Sequence, residues 1–192
     1  MSTRDLVLSA LFAAIIVALG ILPPITLGFI PVPITAQSLG VMMAGVVLGA
    51  RRGVVAVLIV LVLVAIGLPV LSGGRGGLAA FAAPTTGFLI GWVFAALTTG
   101  YISERLVKIE QAAGMQLTGF FFAAMIGGVV VLYAFGIIYL AVAAQTGLKA
   151  AFLGSMAFIP GDVIKAFVAA LVGRAVLAGY PLLPVRNSAG RN

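Results

Sequence analysis

Asp162 and Lys165 stand three residues apart at the start of a long apolar run, a spacing that puts both side chains on one face of a helix. An ionised group at the centre of a membrane-spanning helix costs roughly 2.5–3.5 kcal/mol on insertion scales, and less near the end, so such groups face a cavity and find partners. A carboxylate beside an ammonium offers an acceptor and a donor side by side, so the two can act as a unit in a binding site. The competing reading is a self-satisfied pair at a helix start, where Asp162 complements the macrodipole. Lys165 gains nothing from that end of the dipole.

Arg75 is the single charge among Gly73, Gly74, Gly76 and Gly77. Its guanidinium fork suits paired hydrogen bonds to a ligand carboxylate, and the flanking glycines allow close backbone approach; a solvated loop arginine is the alternative. Gln37 and Ser38 follow a Pro-rich stretch, where an amide and a hydroxyl either bond a polar ring or cap a helix. Trp92 and Tyr101 are read as packing or interface residues rather than ligand stackers.

Catalysis is a poor fit. The chain has no Cys, no His and four acidic residues without a clustered pair, which removes disulfides, thiol and Ser-His chemistry and the commonest metal ligands. No catalytic residue, metal or cofactor is expected. No G-x-x-x-x-G-K-[ST] motif occurs, so any ATP is used by partner subunits. The formal charge of +7 comes from basic residues lying singly or in pairs between apolar runs, which excludes a nucleic-acid-binding stripe.

The elements that must position these groups are spanning helices. Of 192 residues 63% are hydrophobic and 8% charged, against roughly 45–50% and about 25% in soluble domains. A crossing takes about 20 apolar residues, so one domain, 1–192, holds at most about six. Uncharged apolar runs place spans near 6–22, 36–50, 54–71, 86–102, 116–143 and 156–178, the first read as a retained span rather than a cleaved signal. The second is short and the fifth long enough to tilt. The fold class is therefore all-α, an integral membrane protein of six transmembrane helices.

Cytoplasmic connections retain Lys and Arg. Arg4, the pair Arg51 and Arg52, the pair Arg105 and Lys108, and finally Arg186 and Arg191 all fall on one side, which puts both termini in the cytoplasm. The opposite connections, 23–35, 72–85 and 144–155, carry only Arg75 and Lys149. They are apolar and rich in Pro and Gly. Non-helical backbone at membrane depth is tolerated where protein buries it or it lines a cavity, so a pocket is expected near the outer face. Small residues recur four apart at Ala10, Ala14 and Ala18, at Gly45, Gly49 and Gly53, and at Gly87 and Gly91, marking close-approach faces for other helices or another subunit.

Several stretches together resemble the BioY family, the biotin-specific substrate-binding components of energy-coupling factor transporters. Pro31-Val32-Pro33-Ile34-Thr35-Ala36-Gln37-Ser38 is similar to that family's first outer loop. Gly67-Leu68-Pro69-Val70 with Ser72-Gly73-Gly74-Arg75-Gly76-Gly77 is similar to its Gly-rich loop, Ala83 to Gly91 to its Pro-Thr-Gly-Gly-aromatic segment, and Phe158 to Lys165 to its sixth-helix motif. Ala83 and Thr86 stand where many relatives carry Gly.

The resemblance implies biotin bound near the extracytoplasmic face of a multi-pass protein in the bacterial cytoplasmic membrane. It also implies docking to a transmembrane coupling protein driven by two ATPase subunits. It makes Asp162 and Lys165 ligand contacts, with Gln37 and Arg75 as further candidates, Phe81 and Phe88 as apolar lining, and Ala10, Ala14 and Ala18 as the coupling face. The alternatives are a related component for another small vitamin, a stand-alone secondary transporter and a membrane enzyme acting on lipid. The last two lack a visible symmetric half, ion site or acid/base pair.

Overall fold

The computed structural model describes residues 1–183, so Arg186 and Arg191 lie outside the described residues. The described chain is helical: α1 (Thr3–Gly20), α2 (Gln37–Ala65), α3 (Thr86–Leu106), α4 (Ala113–Met125), α5 (Leu132–Ala143), α6 (Leu148–Met156) and α7 (Ile159–Gly179). A π-helical segment, Ile126–Val131, joins α4 to α5 without a break, giving one stretch of 31 residues. Four helical stretches, α1, α2, α3 and Ala113–Ala143, are long and apolar enough to cross a membrane, and α6 with α7, bent by 55°, makes a fifth.

α2 is folded back on itself. At Gly49 the backbone takes φ 82° and ψ −179°, a region essentially reserved for glycine. A straight 29-residue helix would be about 43 Å long. Yet Gln37 at its start bonds the carbonyl of Val70 at 3.0 Å, and the five residues from Ala65 to Val70 reach at most about 18 Å. A methyl group on Gly53 would sit 3.0 Å from the carbonyl oxygen of Ala44, so the two arms lie side by side.

The turn therefore falls at Gly49, before the expected connection at Arg51 and Arg52, which form the first turn of the returning arm. That arm ends at Ala65 rather than near residue 71, because Gly67 (φ 102°) and Pro69 stop the helix. The expected third outer connection, 144–155, is largely the helix α6, which starts after Gly147 (φ 76°).

α2 forms the centre and packs against α1, α3, α4 and α7. The expected close-approach glycines are used inside the bundle: Gly45 meets Thr99, Gly87 meets Tyr139, and Gly91 meets Leu132. One end is tied by polar groups. Ser2 and Asp5 form a capping box on α1, Arg52 Nε pairs with Asp5 Oδ1 at 2.7 Å, and Arg52 donates to the Leu182 carbonyl at 2.9 Å. Arg4 donates to the Tyr180 hydroxyl at 2.9 Å. The opposite end carries the two long non-helical connections and the candidate site.

Candidate functional site

The first connection is drawn into a loop by a bridge between Ile25 and Ile34, whose amides bond each other's carbonyls at 3.0 and 2.8 Å. This holds Val32, Pro33, Ile34 and Thr35 over a cavity. The second connection makes a tighter reversal: Leu71 and Arg75 bridge across Ser72-Gly73-Gly74, with Gly73 and Gly74 at φ 78° and 69°. An L side chain with a Cβ is strained at both positions, which is why glycine occupies them. The reversal delivers Arg75 to the cavity.

α7 supplies the ionic pair. Pro160 sits in its first turn, where a missing N–H is harmless, and Asp162 follows at 4% exposure. Asp162 Oδ1 accepts from Lys165 Nζ at 2.8 Å, while Oδ2 accepts from the Tyr133 hydroxyl at 2.6 Å. Lys165 Nζ also donates to Ser38 Oγ at 3.0 Å, so three helices meet at one polar cluster. Burial without these partners would cost several kcal/mol; with them the pair is sustained and neutral in sum.

Arg75 differs. Its guanidinium bonds the Ser72 carbonyl and Thr85 Oγ1, both at 3.3 Å, and it has no carboxylate partner among the described residues. The cavity lining thus holds one matched ionic pair and one unmatched cation. That set suits a ligand with one negative charge and a separate group of neutral donors and acceptors.

The apolar wall is built from Phe88, Leu89, Trp92, Leu132 and Phe158. Phe88, Tyr133 and Phe158 form a triangle of edge-to-face rings with centroids 6.3–6.5 Å apart. Such rings give a rigid surface for a compact heterocycle.

All four residues expected at a site, Asp162, Lys165, Arg75 and Gln37, line this one cavity. Gln37 does so with its amide already engaged: Nε2 donates to the carbonyls of Ile16 and Val70 at 3.2 and 3.0 Å, and Oε1 accepts from the Ser72 amide at 2.8 Å. Phe88 lines the cavity; Phe81 is not among its lining residues. Trp92, expected only to pack, lines it too, whereas Tyr101 is exposed beneath Arg105 at 4.7 Å.

Ala10, Ala14 and Ala18 lie apart from the cavity on the exposed face of α1, opposite the buried Ser9, Phe12, Ala13 and Ile16. Tyr133 is the residue that sequence reasoning missed. The available signal was a phenol within a long uncharged span, where a hydroxyl needs a partner.

Comparison with known proteins places the chain in a family. A family model described as the BioY family matches residues 1–182. The Biotin transporter BioY of Rhizobium etli is 78% identical over 186 residues, covering 97% of this chain and 100% of the relative. The Biotin transporter BioY of Rhodobacter capsulatus is 52% identical, covering 93% and 95%. A crystal structure of the S-component for biotin from an ECF-type ABC transporter superposes with a TM-score of 0.85 at 36% identity, covering 92% of this chain and 94% of that one. With the family match running through nearly the whole sequence and these identities beside it, the chain belongs to the BioY family.

Proposed function

We propose that this chain binds biotin near the extracytoplasmic face and takes it up as the substrate-binding component of an energy-coupling factor transporter in a bacterial cytoplasmic membrane. The observation that carries the reading is the charge set of the cavity: a neutral Asp162–Lys165 pair and Arg75 without an acidic partner among the described residues. Biotin has one carboxylate and a ureido ring bearing two N–H donors and one carbonyl. Asp162 accepts from the ureido N–H groups. Lys165, held beside Asp162 and Ser38, donates to the ureido carbonyl. Arg75, with no competing acid, takes the carboxylate. The thioether ring and aliphatic tail lie on the aromatic wall.

Six crossings follow if the two arms of α2 count separately and α6 with α7 makes one bent crossing. Arg4, Arg51, Arg52, Arg105 and Lys108 then share the cytoplasmic side, and both termini lie there. A topology test uses the absence of native cysteine. Lys149→Cys is expected to react with a membrane-impermeant maleimide on intact spheroplasts, and Lys108→Cys only after permeabilisation. The reverse pattern would invert the orientation.

The exposed Ala10, Ala14 and Ala18 stripe is the docking face for a transmembrane coupling protein, whose ATPase subunits energise transport. Binding is tested by isothermal titration of detergent-purified, ligand-stripped protein with biotin, riboflavin and thiamine. Biotin alone is expected to bind, in the submicromolar range. Folded protein that ignores biotin, or prefers another vitamin, would overturn the assignment.

A further inference from the structure

Gln37 has the chemistry of a ligand contact and the bonding of a fastener. The residue is 1% exposed, and three of its side-chain hydrogen-bonding positions are spent on backbone from segments far apart in sequence. Nε2 donates to the end of α1 through Ile16 and to Val70, while Oε1 accepts from the amide of Ser72. Val70 and Ser72 flank Leu71, one half of the bridge that sets Arg75. Ser72 also receives Arg75 Nε on its carbonyl at 3.3 Å. The amide thus grips the Gly-rich reversal on both sides of the bridging Leu71, two hydrogen bonds away from the guanidinium.

We propose that Gln37 is a positioning residue: it fixes the Gly-rich reversal to α1 and thereby aims Arg75 at the ligand carboxylate, without donating to biotin itself. This rests on the biotin reading for its ligand and on hydrogen-bond geometry for its mechanism. Gly20 supports the same joint from the other side. A methyl there would lie 2.7 Å from the Val70 carbonyl oxygen and 2.8 Å from Gln37 Nε2, so any larger residue wedges the fastener apart. Because a reversal rich in positive-φ glycines holds itself weakly, its order depends on such external bonds.

The test combines a cycle of variants with a readout that needs no ligand. Gln37→Ala is expected to weaken biotin binding about tenfold and binding of biotin carboxamide, which lacks the carboxylate, about twofold or less. In an Arg75→Ala background Gln37→Ala should weaken biotin no further, whereas beside Asp162→Asn its effect should persist in full. Gly20→Ala should reproduce the selective loss with Gln37 intact.

Independently, a spin label on Leu78→Cys, just after the reversal and 74% exposed, should become more mobile when Gln37→Ala is added, and a label on Leu148→Cys should not. Equal losses for biotin and its carboxamide, or additive losses with Arg75→Ala, would show Gln37 acting on the ligand or the fold at large and overturn the proposal. An unchanged label at Leu78→Cys would overturn it too. If Arg75→Ala leaves biotin affinity intact, the ligand role of Arg75 fails, and the label alone decides whether Gln37 fastens the reversal.

Discussion

Lys165→Ala is expected to lower biotin affinity by about 100-fold or more, with titration calorimetry as the measure. A hydrogen bond from a charged donor contributes about 1.5–3 kcal/mol, which is roughly 10- to 150-fold in a dissociation constant. The substitution also strands the Asp162 carboxylate at 4% exposure with the Tyr133 hydroxyl as its remaining protein partner. Removing one member of a buried pair typically costs about 3–5 kcal/mol of stability, so loss of binding must be separated from loss of fold. Asp162→Asn is expected to cost more than tenfold in affinity with expression intact. The doubly neutral Asp162→Asn/Lys165→Met protein removes the stranded charge and is expected to stay folded, monodisperse in detergent, and unable to bind biotin. A double variant that binds normally, or single variants with unchanged affinity, would reduce the pair to a structural ion pair and remove the centre of the proposed site.

This pair was legible in the sequence because its physics is local: two charges three apart in an apolar run are expensive unless they face something. Arg75 was legible for a related reason, a lone cation in a glycine-rich connection. Gln37 was legible as a residue and not as a role, since its partners belong to residues 16, 70 and 72 and become neighbours only when α2 has folded back.

Tyr133 was hidden by register. It lies two residues past the π-helical Ile126–Val131, which adds residues to the turn and so rotates everything after it relative to a regular helix. No hydrophobic period announces that shift within a stretch apolar on all sides. Orientation signals had a similar limit, for Arg51 and Arg52 mark the side on which the chain turns, while the turning residue is Gly49, chosen by its backbone conformation. α6 escaped because its nine residues are too few to span and apolar enough to pass for a lid.

Gly100→Leu is expected to abolish the folded protein, seen as aggregation on size-exclusion chromatography, and Gly100→Ala to lower the midpoint of thermal unfolding. A Cβ at Gly100 would overlap the backbone nitrogen of Ala50 and the carbonyl carbon of Gly49. These are main-chain atoms at the Gly49 turn and cannot swing aside as a side chain would. Separating α3 from the turn also breaks the bond from the Ala50 amide to Glu104 Oε1, 2.8 Å long, which caps the returning arm of α2. Overpacking costs typically about 1–3 kcal/mol, and the bond to a charged acceptor about 1.5–3. Together these are a large share of the roughly 5–15 kcal/mol that holds a domain folded.

Gly179→Leu is the matched control, because a Cβ there meets nothing within 4 Å among the described residues. If Gly100→Leu unfolds no earlier than Gly179→Leu, the packing of α3 on the Gly49 turn is not what holds α2 back. The consequence reaches the cavity. Gln37 and Ser38 stand at one end of the folded-back α2, while Val70 and Ser72 follow the other, and only a closed turn brings those ends within hydrogen-bonding distance of each other. A glycine at the far end of the bundle therefore sets where the Gln37 amide that fastens the reversal and the Ser38 hydroxyl beside Lys165 can stand.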